Sequence, residues 1–292
     1  MKKLFTAFCL LALFSLPSTY AQINTPAPSP MAKIEQMVGL TEVTIEYSRP
    51  GKKDRTIFAA DGLVPYGEMW RTGANASTKI EFSDDVKIAG QDLPKGKYAL
   101  YTIPNANEWT IVFHKNLTYW GTGGKDYLTS EDALRVTVKS EKTAYSMETF
   151  TIDVGHLRDK SGHLILAWDD TMVRVPIEVE VDSKVLKDIE SAMAGTTRGE
   201  YYTAARYYYN NDKDLSQALS WAKKANEMDA KYWQLKLQSQ IEAKLGDYKS
   251  AVATAERSKM AAEKAGNMDY VRSNTKNITR WKEKMTGMGK KS

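Results

Sequence analysis

Arg71 sits in the stretch VPYGEMWRTGANAST, Val64 to Thr78. Arginine is the residue type best suited to hold a carboxylate or a phosphate, because its planar fork donates two parallel hydrogen bonds. The same stretch supplies Tyr66 and Trp70 as flat apolar faces and Asn75 as an amide donor, while Arg49, Tyr119 and Trp120 offer the same chemistry from neighbouring motifs. Such donors beside aromatic platforms suit a small anion or the hydroxyls of an envelope glycan. Trp109 is set apart, since its alternation with Ile111 and Phe113 puts it on a core-facing strand surface. A structural reading competes with the functional one. In it Pro65 and Gly67 shape a turn, Trp70 plugs one end of a β-fold, and Arg71 pairs with a carboxylate or caps carbonyls. Gly73 then takes a conformation closed to other residues and Asn75 closes an Asx-turn.

Reactive groups are harder to find. The glycine loop YWGTGGKDY has Tyr119 where a phosphate-binding loop needs glycine, and Asp126 follows Lys125 where Ser or Thr is required. No Gly-x-Ser-x-Gly, His-Glu-x-x-His or calcium-loop pattern occurs. His114 and His163 fall in predicted strands and His156 between strands, which reads as three partly buried strand-end residues. Asp169 and Asp170 are adjacent and read as hairpin-turn residues. No metal and no cofactor is expected on these grounds. If the protein is an enzyme, Glu68 or Asp61 near Arg71 is the acid or base of a hydrolase acting on a glycan or other envelope polymer.

The start of the chain speaks to compartment. Lys2 and Lys3 precede the apolar run Leu4 to Leu16, which is too short to span a bilayer, and small residues lead to a cleavage point after Ala21. This pattern is that of a secretory signal peptide, so the expected location is periplasmic or extracellular. Cys9, the chain's one cysteine, leaves with the signal, and disulfides and thiolate chemistry leave with it. No later run is long enough for a transmembrane anchor. A net charge of +5, reduced by the loss of two lysines, excludes the concentrated basic face of a nucleic-acid binder. A basic run near the C-terminus, with Arg272, Lys276, Arg280, Lys282, Lys284, Lys290 and Lys291 against Glu283, reads as a solvated helix face with a frayed end, contact with an anionic surface being the alternative.

These side chains need scaffolds, and 292 residues with 42% apolar content suffice for two globular domains. Residues 22–30 form a proline-rich leader. From 31 to 181 the dominant period is two: TEVTIEYS turns Val43, Ile45 and Tyr47 inward, ETFTIDV turns Phe150, Ile152 and Val154, and HLILAW turns Leu164, Leu166 and Trp168. The polar DDT then turns the chain into MVRVPIEVEV. Eight or nine short strands with hairpin-sized turns predict an antiparallel β-sandwich or flattened barrel. A linking helix and loop follow over 182–198. From 199 to 292 the period is helical, with Leu215, Ala218, Leu219, Ala222 and Ala225 on one stripe and Tyr248, Ala251, Val252, Ala255 and Ala262 on another. Superposing the two stripes aligns Ala218 with Ala251, a repeat of roughly 34 residues that resembles the tetratricopeptide helix pair. A last helix, with Val271, Asn274, Ile278, Trp281 and Met285 on one side, caps the stack. The whole is α+β.

The segments YSRP, DRTIF, LVPYGEMWRTGAN, LPKGKYALYTIP and WG closely resemble DUF2911, a family of exported bacterial proteins with a domain of unknown function. The helical tail resembles that carried by many members. The resemblance implies export and a β-rich domain, and it brings no catalytic residues. Members read Thr-Gly-Ala-Asn-Glu where this chain has Ala76, and asparagine is common where His114 stands, so no role of that acidic side chain carries over.

Two surfaces therefore invite partners. Arg49, Tyr66, Trp70, Arg71, Asn75, Tyr119 and Trp120 would take an envelope glycan or small anionic ligand. The first helix of each tetratricopeptide-like pair, with Thr203, Tyr207, Asn210 and Asn211, then Trp233, Lys236, Gln240 and Lys244, would line a groove for a protein partner. The leading expectation is a non-enzymatic exported binding or scaffold protein. A glycan-directed hydrolase and a purely structural module of an envelope complex are the alternatives.

Overall fold

The computed structural model of the protein describes residues 25–193, 197–227 and 230–288. The expected signal peptide, part of the leader, and Lys290 and Lys291 lie outside the described residues. The chain divides into two compact units between Glu180 and Val181.

The first unit holds one antiparallel nine-stranded sheet. Its strands are β1 (Met31–Val38), β2 (Thr41–Ser48), β5 (Thr78–Phe82), β6 (Val86–Ile88), β7 (Gln91–Leu93), β8 (Gly96–Pro104), β9 (Glu108–His114), β10 (Asp132–Arg158) and β11 (Ser161–Val179). They are ordered β1-β2-β5-β8-β9-β10-β11-β6-β7, and a separate two-residue pair joins β3 (Phe58–Ala59) to β4 (Val64–Pro65). The sheet is open, so the flattened-barrel alternative falls away.

Strand β10 is what lets one sheet fold over on itself. Its first part, Asp132 to Lys139, pairs with β9, and its remainder, from Ser140 to Arg158, pairs with β11, with register shifts on either side of Met147. Such shifts bend a strand and increase its twist. The bend brings the far half of β10 opposite β2, where the Tyr47 hydroxyl donates to Ile152 O at 3.1 Å and accepts from Ile152 N at 2.9 Å. Beyond β2, Phe150 N donates to Pro50 O and Lys52 N to Glu148 O, and an isolated bridge joins Gly51 to Thr149. The core fills the space between, with Ile45, Ile80, Trp109, Phe150, Leu166 and Trp168 all essentially inaccessible.

The expected turn at Asp169–Thr171 is not a reversal. β11 runs straight through it for 19 residues, with Asp169 at φ 51. Inward residues fall on even positions up to Trp168 and on odd positions from Val173, all buried. One extra residue in a continuous strand produces that change of phase as well as a hairpin does.

The second unit holds six helices among the described residues: α1 (Asp182–Met193), α2 (Arg198–Asn210), α3 (Leu215–Ala225), α4 (Tyr232–Lys244), α5 (Tyr248–Lys264) and α6 (Met268–Met288). Asp214 starts α3 by accepting from Ser216 N and Gln217 N, and Asp247 starts α5 by accepting from Ser250 N. Each satisfies backbone donors that a helix N-terminus leaves free. Buried Ala205, Ala218 and Ala222 pack with Leu237 and Ile241, and Ala251 and Ala255 pack with Ile278 and Trp281. No helix among the described residues is long and apolar enough to cross a membrane.

Candidate functional site

The WRTGAN segment is pinned from both ends before it turns. Trp70 exchanges backbone hydrogen bonds with Thr102 of β8, at 2.7 and 3.0 Å, and its indole Nε1 donates to Gly73 O at 3.0 Å. Its ring stacks on Trp168, with centroids 5.8 Å apart and planes at 19°, and meets Phe150, Phe58 and Trp109 edge-on. At 8% exposure Trp70 is the plug of the structural reading. The chain then takes positive φ at Thr72 (55°), Gly73 (151°) and Asn75 (61°). A β-branched residue pays a steric cost there, and Thr72 is held by its hydroxyl's contacts to Trp70 O and Thr102 Oγ1 and by Thr78 Oγ1 donating to Thr72 O. A Cβ on Gly73 would lie 2.9 Å from Ser48 O, which explains the glycine. Asn75 does not close an Asx-turn; its Nδ2 donates to Ser48 Oγ at 3.1 Å.

A second irregular segment faces this turn. Lys53 and Asp54 both have positive φ, so four of the eight such non-glycine residues among the described residues lie in these two segments. Between them opens a notch of about 390 Å³. Lys53, Arg55, Arg71 and Asn75 line its polar side, and Leu63, Val64 and the edges of Trp70 and Trp168 its apolar side. No carboxylate lines it. Arg55 is oriented by its own loop, donating from Nε to Lys52 O at 2.9 Å and from Nη2 to Gly51 O at 2.5 Å. Glu148 lies near the rim and accepts from Lys53 N at 3.0 Å. Arg71 is half-buried, and its Nε is buried with no hydrogen-bond partner. The carboxylate or carbonyl cap expected for it is therefore not seen at that atom. An unmet buried N–H costs about 1–3 kcal/mol.

Charge distinguishes this notch from another of comparable size. A concavity of about 350 Å³ beside β6 and β7 mixes Lys87 with Asp85, Asp92 and Glu178, and its lysine is already paired with Asp92 at 2.5 Å.

The remaining ligand candidates are dispersed. Arg49 serves the fold, donating from Nε to Phe150 O at 3.1 Å and from Nη2 to Thr151 Oγ1 at 2.8 Å. Tyr66, Tyr119 and Trp120 do not line the notch, and neither do the proposed hydrolase carboxylates Glu68 and Asp61, both exposed. Trp120 is 77% exposed beside the glycine loop, bridging to Ala76. In the helical unit, Tyr207 donates to Asp182, Asn211 Nδ2 donates to Tyr207 O, and Lys236 lies over the Tyr270 ring. Trp233 is 37% exposed against Tyr232, and Thr203 and Asn210 are exposed on α2. Of that set, Gln240 and Lys244 share a concavity.

Sequence reasoning missed one polar cluster and two cations. His114 ends β9, as expected of a strand-end residue, but it is fully buried rather than partly so. Its Nδ1 lies 2.9 Å from Asp132 Oδ1, and Asp132 also accepts from Arg135 Nε at 2.5 Å and from the Tyr127 hydroxyl. Burial first, and then the bond to Asp132, push the Tyr127 phenol well above its ordinary value. Tyr119 donates to Glu131 and stacks on His114, so this group clamps the glycine loop to the sheet. His114 and Asp132 are direct cross-strand partners, a relation visible only once register is known. The missed cations are Lys53 in its left-handed corner and Arg55 two residues on, for which the sequence GKKDR holds only a generic turn signal. No group of three or more metal-ligating side chains occurs among the described residues.

Compared with known families, residues 29–177, just over half of the chain, match the one described as a protein of unknown function, DUF2911. No curated protein and no solved structure matches the chain. The matched span runs from the start of β1 nearly to the end of β11 and contains every residue of the cationic notch except Pro28, and on that match the chain belongs to the DUF2911 family.

Proposed function

We propose that this protein is an exported binding protein whose β-rich unit captures a small anionic ligand, or the acidic group of an envelope glycan, in the notch at Arg71. The observation that carries the proposal is a cavity lined by three cations, Lys53, Arg55 and Arg71, and by no carboxylate. Cations gathered without a counter-charge favour an acceptor that arrives with negative charge. The two strained segments around it are the kind of backbone a fold retains where something must be positioned. The apolar side of the notch favours an anion carrying a carbon skeleton over a bare ion.

The helical unit reads as a tetratricopeptide-like partner module in this proposal. Ala218 and Ala251 are both buried, and Asp214 and Asp247 cap their helices at the same offset. That repeat supports the reading.

The test is a thermal-shift and calorimetric titration with inorganic phosphate, glucuronic acid and muropeptides, comparing wild type with Arg71→Ala. A ligand that binds the native state alone raises the melting midpoint. Loss of one charge-assisted fork weakens binding by roughly ten- to a hundredfold. The unliganded Arg71→Ala protein melts no lower than wild type, because removing an orphaned donor relieves its desolvation. A large fall in its midpoint without ligand, together with no shift from any anion, would return Arg71 to a structural role.

A further inference from the structure

A second cationic notch, of about 230 Å³, opens in the helical unit among α2, α4, α5 and α6. Its cations are Lys244, Arg280 and Lys284, and no carboxylate lines it. Each also lies by an aromatic ring: Lys244 Nζ is 5.0 Å from the Tyr209 ring centre, Lys284 Nζ 5.3 Å from that of Tyr248, to whose hydroxyl it donates at 3.4 Å, and the Arg280 guanidinium 5.8 Å from that of Trp281, with Nη2 donating to Asn277 Oδ1 at 3.2 Å. A ring orients a cation without cancelling its charge. The one ion pair seen on these three among the described residues is that of Lys244 with Asp212, whose side chain is 79% exposed and therefore worth little. The basic run in the C-terminal sequence thus splits: Lys282 pairs with Glu256, while Arg280 and Lys284 converge from α6 on Lys244 of α4.

Gln240 adds a neutral amide to these cations. It lies on α4 one helical turn before Lys244 and lines the same notch. Its amide both donates and accepts, which suits a peptide group, whereas phosphate at full charge offers only acceptors.

We propose that this notch recognises a carboxylate of a polypeptide partner, as an acidic side chain or a chain terminus, with Gln240 reading the adjoining peptide group. Lys244 and Lys284 supply the charge, and the tyrosine faces pre-order their long side chains so that less freedom is lost on binding. Recognition here is independent of the anion site in the β-rich unit.

Fluorescence anisotropy on the full chain tests it, with labelled hexaglutamate as free acid and as C-terminal amide, and hexalysine as control. Wild type is expected to bind hexaglutamate and not hexalysine. The double variant Lys244→Gln, Lys284→Gln should bind about tenfold or more weakly at an unchanged melting temperature. Gln240→Leu should weaken the peptide several-fold while leaving inhibition by inorganic phosphate unaltered, and Arg71→Ala should change nothing. A difference between acid and amide assigns the terminus; equal binding assigns side chains. Undiminished binding by the double variant overturns the proposal. So does displacement by phosphate as effective as by unlabelled peptide, or dependence on Lys244 and Lys284 only toward vesicles containing phosphatidylglycerol. Should the double variant melt lower, Arg280→Gln alone must reproduce the loss for the proposal to stand.

Discussion

The two units solve the same packing problem with opposite materials. The β-rich unit sets a cluster of large rings among its buried aliphatic side chains, with Trp70, Trp109, Trp168, Phe58 and Phe150 in contact at centroid distances of 4.8–6.4 Å. The helical unit buries Ala204, Ala205, Ala218, Ala222, Ala225, Ala251, Ala255 and Ala262. It also tolerates polar interiors such as Gln238 with Glu242 and Ser258 with Asn274. A folded-over sheet leaves a gap that only wide side chains fill, whereas helices crossing at close range need small ones. One unit therefore centres on wide side chains and the other on small ones.

Truncating the ring cluster should test that contrast most severely. Trp70→Ala removes a stacked, hydrogen-bonded plug and should cost about 3–5 kcal/mol. Hydrogen exchange resolved by peptide should show lost protection across β5, β8 and β9 with α4 and α5 unchanged; uniform loss across both units would break the comparison. Enlarging an alanine probes the other side. Ala218→Leu overfills a helix crossing and should cost about 1–3 kcal/mol, read as a drop in the helical signal at far-ultraviolet wavelengths, and a neutral result would mean that this crossing is looser than its burial implies.

The smallest effect concerns pH, because all three histidines lie in the β-rich unit. Burial first, and then the charges of His156 and Arg174, hold His163 below its ordinary value of 6.5. The folded state thus binds this proton more weakly than the unfolded chain does. The resulting stability is fully present above the ordinary value and fades as pH falls through it. His163→Gln should flatten the acid side of the melting-temperature profile of the β-rich strands; an unchanged slope would assign that pH dependence elsewhere.

Much of the β-rich interior was legible because alternation reports burial directly. Val43, Ile45 and Tyr47 are inward as expected, and Trp109 is core. Asp169 was read as a hairpin because a reversal and an inserted residue leave the same phase change, and only pairing partners separate them. The site was legible in part. Arg71 and Asn75 line the notch, but Lys53 and Arg55 join them from a segment whose path depends on two left-handed residues. Arg49 carries the same side chain as Arg71, yet it is spent on Phe150 and Thr151 of β10.

By itself the sequence determined the kinds of structure and their order, since periods of two and of 3.6 residues follow from local backbone geometry. It determined equally that β-rich and helical parts would be separate, through the change of period near Val181. Tertiary structure alone decided which cations stay unpaired. That depends on which strands meet and in what register, a property of long-range packing in which Ser48 and Trp168 come to hold the Trp70–Asn75 turn and Glu148 the Lys53 corner.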